Sequence, residues 1–539
     1  MDDYEVPVLV VGGSLVGTST ALLLGHHGVE SLVVERHPGA AIHPRAALLL
    51  QRTMEILRSV GVEQNVRGKS IDQFEPDGAL MAVETLAGKE IAYYIPKLNE
   101  GVRDLSPSER MFITQILLEP LMKARAEELG AQPRFGTELV EFEEDSGGVT
   151  ALIRDRESGE TANVRALYMV AADGPRSRVR DQLGIGMQGH GVLSNSITIY
   201  FRADVEALLR GRNLSVIMVV NEIFQGFFRI EKPYRSGFLV VHGLGDPADP
   251  NTDVWPDLDE QRYIELVRAG LGEDVDVEIE DVMRWQATAD VADSFGHGRV
   301  FLAGDAAHVM PPYGGYGGNT GIHDAHNLAW KLAMVLNGDA GRALLGSYEA
   351  ERRPVAAFTV EQAYSRYVTR AAPSLAASGM EPVVPDINID LGYRYDSIAV
   401  VLEEGGDGAL HGNPRESKGL PGTRAPHVFL DRDGEKVSTL DLFGRRFSLL
   451  AGSEAGAWCE AAREAAGRLG LDLDVHSVGI PDGLGDPDGA FEDAYGITHA
   501  GAVIVWPDGF VGWRAQTGDD ATAQAAASAL AALLSRSAS

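Results

Sequence analysis

Residues 6–35, VPVLVVGGSLVGTSTALLLGHHGVESLVVE, decide the fold of this chain. The apolar, β-branched run Val6–Val11 leads directly into Gly12-Gly13-Ser14-Leu15-Val16-Gly17, and a helical pattern follows. A second apolar strand, Leu32–Val34, carries Glu35 at its end. Strand, glycine-rich turn, helix, strand and acid in this order predict a dinucleotide-binding βαβ unit.

Each glycine of this turn has a task that a larger residue would obstruct. Gly12 makes the tight turn, Gly17 allows close packing of helix on strand, and the helix N-terminus is expected to hold a pyrophosphate. Glu35 follows Gly12 by 35 − 12 = 23 residues, close to the ~20 at which an acid binds the ribose hydroxyls. Ser14 replaces the middle glycine of G-x-G-x-x-G, so the backbone would approach the pyrophosphate past a hydroxyl.

A second glycine-rich stretch lies at residues 299–332, RVFLAGDAAHVMPPYGGYGGNTGIHDAHNLAWKL. The short strand Val300–Ala303 runs into Gly304 and Asp305, and the Asp305 carboxylate is placed to accept hydrogen bonds from ribose-type hydroxyls. The glycines between residues 314 and 318 let main-chain N–H groups approach a flat ligand that side chains would block.

A third motif, DGPRSRVR at residues 173–180, follows the apolar strand Leu167–Ala172. By itself it fits an ordinary turn and helix cap, but its place between the other two motifs favours a ligand-binding role. The chain contains one Rossmann-type fingerprint and a single cysteine, Cys459. A disulfide reductase of the two-dinucleotide type is therefore excluded, since it needs a redox C-x-x-C.

The three motifs together resemble those of the FAD-dependent aromatic hydroxylases, the class A flavoprotein monooxygenases related to p-hydroxybenzoate hydroxylase. Within that family the chain is most similar to the hydroxylases of anthracycline- and tetracenomycin-type aromatic polyketides. The resemblance runs from Val6 to about Arg514. It implies an α/β fold, with a Rossmann-like FAD-binding domain, an inserted antiparallel-sheet substrate domain and a C-terminal thioredoxin-like domain.

The resemblance also implies a set of cofactor-binding residues, which comprises Gly12, Gly13, Ser14, Leu15, Val16, Gly17, Glu35, Arg36, Arg45, Gln115, Asp173, Gly174, Asp305, Pro312, Gly315, Gly317, Gly318 and Asn319. The ADP half of FAD would be held by Gly12, Gly13, Gly17 and Glu35. Asp305 would bind the ribityl chain, and Pro312 with the 317–319 backbone would lie along the flavin ring. Arg45 would lie near the flavin and the NADPH phosphates, the alternative being a surface salt bridge. Gln115 would contact the flavin, the alternative being a helix-start residue that bonds the backbone.

The implied reaction uses FAD, NADPH as co-substrate in preference to NADH, and O2, and it hydroxylates a polycyclic aromatic polyketide through a flavin hydroperoxide. No residue is singled out as catalytic. Arg45 and Tyr316 are candidates for such a role, and His43, Tyr93, Tyr316 and His308 are candidates for a base that deprotonates the phenol. That role stays unassigned.

Short apolar runs that alternate with turns between residues 194 and 243 predict antiparallel strands, with residues 81–96 as a hairpin partner. In the resembled family such a sheet carries the substrate pocket. Its candidate substrate contacts are Tyr93, Tyr94, Met218, Phe224, Phe227, Phe228 and Trp285. The alternative for each is an ordinary place in the core, where aromatic residues on alternating strands usually lie.

These features divide the chain into an FAD-binding domain over 1–75, 101–185 and 286–402 (the last part with connecting helices), a substrate domain over the hairpin 76–100 and the antiparallel sheet 186–285, a linker over 403–426, and a thioredoxin-like domain over 427–539. Ala462 stands where thioredoxin has its second cysteine, so Cys459 is expected to be a buried apolar residue. We interpret this last domain as a packing or oligomerisation module, which is compatible with a homodimer.

Composition narrows the class of protein further. The net charge of −31 argues against a nucleic-acid partner, because a polyanion repels phosphates. The lack of a long apolar run argues against a membrane span, and the acidic start, MDDYEV, argues against a signal peptide. We therefore predict a cytoplasmic enzyme without a metal site. Two other functions stay open: Baeyer–Villiger or another oxygenation of a polyketide or xenobiotic, and a non-catalytic flavin-binding partner in a biosynthetic complex.

Overall fold

A computed structural model describes residues 3–39, 48–242, 258–372, 375–376, 380–403 and 408–536 of the chain. The strands are β1 (Tyr4–Val11), β2 (Ser31–Glu35), β3 (Leu48–Leu49), β4 (Ala79–Val83), β5 (Glu90–Ile95), β6 (Met111–Phe112), β7 (Ala131–Phe135), β8 (Thr137–Asp145), β9 (Gly148–Asp155), β10 (Thr161–Ala171), β11 (Met187–Arg202), β12 (Leu214–Val220), β13 (Gln225–Glu231), β14 (Ser236–His242), β15 (Glu278–Ala292), β16 (Gly296–His297), β17 (Val300–Leu302), β18 (His308–Val309), β19 (Phe429–Arg432), β20 (Glu435–Ser438), β21 (Phe447–Ala451), β22 (Leu473–Ser477), β23 (Ala502–Val505) and β24 (Val511–Ala515). The α-helices are α1 (Leu15–His26), α2 (Gln51–Ser59), α3 (Glu63–Gln73), α4 (Gln115–Glu128), α5 (Arg178–Gln182), α6 (Glu206–Leu209), α7 (Glu260–Leu271), α8 (Tyr316–Leu336), α9 (Gly346–Ala371), α10 (Asp386–Asp390), α11 (Gly456–Leu469), α12 (Phe491–Tyr495) and α13 (Ala523–Leu533).

The first sheet carries all three sequence motifs. Its strand order is β16-β17-β10-β1-β2-β7, and the antiparallel pair β8–β9 extends from β10. Strand β1 is parallel to both β2 and β10, and β10 is parallel to β17. Because parallel strands bring their carboxyl ends to one edge of a sheet, the turns after β1, β10 and β17 meet there. The buried core of this domain includes residues of β1, α1 and α8.

The second sheet has the order β18-β15-β11-β14-β13-β12-β4-β5. Its neighbours are antiparallel except for β4 and β12, which run parallel. The predicted hairpin forms its edge, as β4 pairs with β5. One face, here called the outer face, packs on α7 through residues such as Phe201, Phe228 and Leu266. The opposite, inner face holds a separate cluster that contains Phe227, Phe238 and Trp285.

The C-terminal domain is built on a third sheet, β22-β21-β23-β24, in which β21 and β22 are parallel and the other pairs antiparallel. Helices α11 and α13 pack in its core through Trp458 and Leu530. This arrangement is the thioredoxin-like domain that the sequence predicts. Cys459 is buried in α11, and its Sγ lies 3.4 Å from Ser477 Oγ. The chain has no second cysteine with which it could form a redox pair.

The segment predicted as a linker, 403–426, is not a loose connection in its described part, 408–426. Arg424 is 5% exposed and donates from Nε to Glu55 Oε2 on α2 at 2.9 Å. Its Nη2 donates to the other carboxylate oxygen of Glu55. The glycines and prolines of this segment therefore make turns that seat it between two domains, which composition alone does not reveal.

The turn between β23 and β24 of the C-terminal domain also contacts two helices of the preceding domain, α2 and α8. The Asp508 carbonyl of that turn accepts a hydrogen bond from Arg52 of α2, and its Oδ2 accepts one from Asn327 of α8 at 3.4 Å. Beside them, Lys331 of α8 forms a buried ion pair with Glu351 of α9. We call these residues the buried junction. Among the described residues, no helix is long and apolar enough to cross a membrane.

Candidate active site

A crevice of about 940 Å³ opens at the carboxyl edge of the first sheet. Its wall includes the following residues predicted to bind cofactor: Gly12, Gly13, Ser14, Leu15, Val16, Glu35, Arg36, Gln115, Asp173, Gly174, Asp305, Pro312, Gly315, Gly317, Gly318 and Asn319. Gly17 does not belong to the wall, and Arg45 lies outside the described residues. Residues that are far apart in the chain thus surround one elongated space at the place where α/β folds bind nucleotides.

The turn between β1 and α1 forms one end of the crevice. Gly12 has a φ of +100°, and a Cβ atom there would lie 2.2 Å from the carbonyl oxygen of Ala172. A Cβ atom on Gly17 would lie 1.8 Å from the Gly12 carbonyl oxygen. Gly17 therefore allows the close packing of α1 on β1 that its place in the motif predicts. Both glycines keep the turn tight enough for main-chain N–H groups to face the crevice.

The acid at the end of β2 lies beside this turn. Glu35 Oε2 accepts a hydrogen bond from the Gly13 amide at 2.7 Å, and Oε1 accepts one from the His37 amide at 2.8 Å. These amides fix the carboxylate in the wall, together with the His37 ring, whose Nδ1 lies 2.6 Å from Oε1.

Ser14 belongs to a three-residue hydrogen-bond cluster that sequence reasoning did not foresee. Its Oγ donates to Glu119 Oε1 at 2.7 Å and accepts from Gln115 Nε2 at 2.8 Å. Gln115 Nε2 also lies 2.6 Å from Glu119 Oε1. All three residues line the crevice, and Glu119 is 2% exposed. A carboxylate next to a predicted pyrophosphate is repelled by it, so the hydroxyl and amide partners of Glu119 bear on cofactor binding.

The opposite end of the crevice is formed by the loop that leads into α8. Gly314 and Gly315 have φ values of +104° and +68°, and α8 begins directly afterwards at Tyr316. Asn319 in the first turn of α8 donates from Nδ2 to the Leu48 carbonyl and accepts at Oδ1 from the Leu50 amide, both at 2.9 Å. The first turn of the helix leaves amides without helical partners, which suits a polar edge of a flat ring.

The middle of the crevice contains two carboxylates. Burial raises the pKa of the Asp173 carboxyl, and its Oδ1 has no hydrogen-bond partner among the described residues. Asp305, in the turn that follows β17, also lines the crevice. An unpartnered acceptor fits hydroxyl groups of a ligand, and together with the glycine turns it makes this wall fit FAD.

None of the described candidates for a catalytic group or base reaches the crevice. His308 is fully buried, with Nε2 2.7 Å from Asp324 Oδ2. The Tyr316 hydroxyl donates to Asp386 Oδ1 at 2.7 Å, and burial raises the pKa of Tyr316 well above its ordinary value. Tyr93 is 47% exposed on the edge strand β5. His43, like Arg45, lies outside the described residues. Tyr316, Tyr93 and His308 therefore do not line the crevice, and the base stays unassigned.

The substrate-contact candidates separate by the face of the second sheet on which they lie. Trp285 lines the crevice, and Phe227 and Met218 pack on the same side, in clusters with Trp285 and with Tyr313. Phe224 and Phe228 belong to the core under α7. Their prediction as substrate contacts is wrong, because alternation along β13 turns Phe228 away from Phe227. Tyr94 lies at the sheet edge with Arg370 5.2 Å from its ring.

Two residues missed by sequence reasoning lie beside Trp285. His242 ends β14 on the inner face, and its ring centroid is 6.2 Å from that of Trp285. Tyr313 follows the wall residue Pro312 and lies 5.6 Å from His242. The alternation of SGFLVVH, once paired with the strand SNSITIYF, would have indicated the face of His242 but not its neighbours.

Comparison with known proteins gives matches over nearly the whole chain. Residues 5–363 match the family described as FAD binding domain, and residues 418–537 match the family described as aromatic-ring hydroxylase, C-terminal. A 4-methyl-5-nitrocatechol 5-monooxygenase of Burkholderia sp is 52% identical over 99% of this chain and 98% of the relative. The tetracenomycin A2 monooxygenase-dioxygenase of Streptomyces glaucescens is 39% identical over 99% of this chain and 98% of the relative.

Solved structures also match over nearly the whole chain. Aklavinone-11 hydroxylase in a ternary complex with FAD and aklavinone has a TM-score of 0.93 and 38% identity, covering 99% of this chain and 100% of that one. The flavin-dependent monooxygenase PieE, in complex with FAD and substrate, has a TM-score of 0.89 and 32% identity, with 100% of both chains covered.

Proposed function

The chain belongs to the FAD-dependent aromatic hydroxylases, and from this premise we propose that it is an NADPH-dependent monooxygenase that hydroxylates a phenolic ring. The predicted family and α/β fold are confirmed. The observation that carries the proposal is the meeting of two surfaces in one crevice. The glycine turns and Asp305 form a dinucleotide wall, and Trp285 brings the inner face of the second sheet to the same space.

In this proposal bound FAD supplies the reductive activation of O2, by way of the flavin hydroperoxide that the family resemblance implies. One oxygen atom enters the ring and the other leaves as water, while NADPH is oxidised to NADP⁺. The protein holds the components in register. Amides of the α8 start face the polar edge of the flavin position, and Trp285 gives the aromatic substrate an apolar surface beside it.

Two arginines of the third motif support NADPH as the electron donor. Arg176 and Arg178 both line the crevice next to Asp173. A guanidinium group binds phosphate oxygens through paired N–H donors. The 2′-phosphate distinguishes NADPH from NADH, so these side chains favour the phosphorylated nucleotide.

We propose a single-ring catechol-type phenol as the substrate. Of the described inner-face residues, Trp285 lines the crevice, and His242 packs beside it together with Phe227 and Tyr313. The 52% identical relative, named for its action on a nitrocatechol, supports the same class. The likeness to a hydroxylase solved with aklavinone favours a polycyclic phenol as the second candidate.

The test is NADPH oxidation by the FAD-loaded protein, measured with 4-nitrocatechol, with an anthraquinone phenol and without an aromatic addition. We expect faster oxidation with the nitrocatechol and a product that carries one more ring oxygen by mass spectrometry. NADH in parallel tests the nucleotide preference, and catalase reports oxygen lost as peroxide. Acceleration by the polycyclic phenol alone would reverse the substrate assignment. No acceleration by either phenol would contradict the proposed function.

A further inference from the structure

His242 is a titratable side chain set among the aromatic rings of the substrate side. Its ring centroid lies 5.8 Å from that of Phe227, 6.2 Å from Trp285 and 5.6 Å from Tyr313. Trp285 forms part of the crevice wall, and Tyr313 directly follows the wall residue Pro312. The imidazole is thus set among the rings that separate the second sheet from the crevice, and it is 6% exposed.

The two ring nitrogens of His242 differ in their surroundings. Nδ1 lies 3.2 Å from Ser196 Oγ on the neighbouring strand β11. Nε2 is buried and has no hydrogen-bond partner among the residues that the structure describes. A buried polar atom without a partner costs free energy, and native proteins rarely leave one without a reason. A ligand group that binds Nε2 supplies that reason.

Hydrogen-bond chemistry indicates what kind of group this is. Burial lowers the pKa of His242 to about 4, so the imidazole is neutral near pH 7 and carries one N–H. Ser196 Oγ also lies 3.4 Å from Ser194 Oγ, which can take the Ser196 hydroxyl proton. The Ser196 oxygen is then open to a hydrogen bond from Nδ1–H, which leaves Nε2 as an acceptor. A phenolic O–H is the matching donor.

We propose that Nε2 of His242 accepts a hydrogen bond from the phenolic hydroxyl of the substrate, and that Ser196 is the positioning residue that holds the ring nitrogen in the accepting state. This inference rests on the proposed function for the identity of the substrate. The aromatic neighbours of His242 bind the ring of the substrate, and Nε2 fixes which edge of that ring faces the flavin position. An acceptor at the hydroxyl also increases electron density on the ring that receives oxygen.

The experiment measures equilibrium binding to the FAD-loaded enzyme without NADPH, by titration of the flavin absorbance. Two probes are compared: 4-nitrocatechol and 1,2-dimethoxy-4-nitrobenzene, in which methyl groups block both hydroxyls. In His242→Leu we expect the nitrocatechol to bind about tenfold more weakly, as for one lost hydrogen bond in a buried site. The dimethoxy probe should bind the variant and the wild type with the same affinity.

Two further variants separate hydrogen bonding from structure. His242→Gln keeps a polar acceptor and should restore part of the nitrocatechol affinity. Ser196→Ala should cause a smaller loss of affinity than His242→Leu. The Ser196 variant also keeps the test decisive if His242→Leu does not fold. His297→Leu, at a histidine whose side chain is 75% exposed, is the matched control and should leave binding unchanged. Flavin content and melting temperature monitor the fold.

Equal nitrocatechol affinity in wild type and His242→Leu would overturn the inference, and so would a parallel loss for both probes, since that result indicates a packing role. Failure of the proposed function has a different signature. In that case wild-type NADPH oxidation does not respond to the nitrocatechol, whether or not binding of the phenol depends on His242.

Discussion

The two walls of the crevice are built in different ways. The nucleotide wall consists largely of main chain, because glycines at positions 12, 315, 317 and 318 leave the backbone bare. The substrate wall presents the side chain of Trp285, and His242 packs beside it from a different strand of the second sheet. A wall of main chain depends on a few local turns, whereas a wall of side chains depends on strand pairing and register. The two should therefore respond differently to substitution.

The largest effect is expected at the nucleotide wall. In Gly17→Ala the new Cβ would lie 1.8 Å from the Gly12 carbonyl oxygen, so α1 must move away from β1. We expect loss of FAD from the purified protein and destabilisation by about 4 kcal/mol or more. The measurements are flavin content and denaturant unfolding. Gly68→Ala in α3 has open space around its Cβ and serves as the control. Normal flavin content in Gly17→Ala would refute the role given to main-chain packing.

The two faces of the second sheet offer the next contrast. Phe228→Ala empties a fully buried site under α7, and we expect it to lower the free energy of unfolding by about 3–5 kcal/mol. The FAD-loaded variant should still bind a phenol normally. Phe227→Ala, its neighbour on the inner face, should cost less stability and weaken phenol binding. Unfolding in urea and titration with 4-nitrocatechol separate the two effects. A binding defect in Phe228→Ala alone would reverse the assignment of the faces.

Ser14→Gly sharpens the comparison, because it restores the glycine fingerprint and yet should weaken FAD binding. The substitution removes the hydroxyl that donates to Glu119 at 2.7 Å and leaves that carboxylate with fewer partners beside the pyrophosphate position. We expect a loss in FAD affinity of about fivefold, or about 1 kcal/mol. Apoprotein titrated with FAD measures it.

The control for this prediction is the double variant with Glu119→Gln. It removes the negative charge and should recover the affinity if the carboxylate is the cause of the loss. Tighter FAD binding in Ser14→Gly would contradict the role assigned to the cluster of Ser14, Gln115 and Glu119.

The smallest expected effect lies away from both walls, at the buried junction. Burial raises the pKa of the Asp508 carboxyl to about 6. A carboxyl whose pKa is higher in the folded state holds its proton more tightly there, so it lowers stability as pH rises from about 4 to about 6. Asp508→Asn stays neutral and should be more stable than wild type by about 1 kcal/mol near pH 7.5, with a smaller difference near pH 5.

Urea unfolding at both pH values measures this difference. Asp472→Asn, at a carboxylate whose side chain is 82% exposed, is the control. A stability gain that does not change with pH would show that the buried charge of Asp508 is not its source.

The sequence predicts the nucleotide wall well because each of its parts is a contiguous motif. The turn after β1, the acid at Glu35 and the glycines before α8 each have a physical task that local residue order reveals. It predicts the substrate wall poorly, since Phe227 and Phe228 look alike until the strand pairing fixes their faces. The composition of the segment 403–426 predicts a linker. The ion pair of Arg424 with Glu55 joins residues 369 positions apart, so local composition does not reveal it.

The buried junction and the ion pair of Arg424 with Glu55 also set an order of events during synthesis. Arg52 and Asn327 belong to helices that leave the ribosome long before Arg424 and Asp508. Until those later residues arrive, the Glu55 carboxylate has Arg52 of its own helix as an ion-pair partner but lacks its second partner, Arg424. The ion pair between Glu55 and Arg424 therefore forms only after residue 424 is synthesised, and α2, which follows the crevice residue Leu49, lacks this contact in any shorter nascent chain.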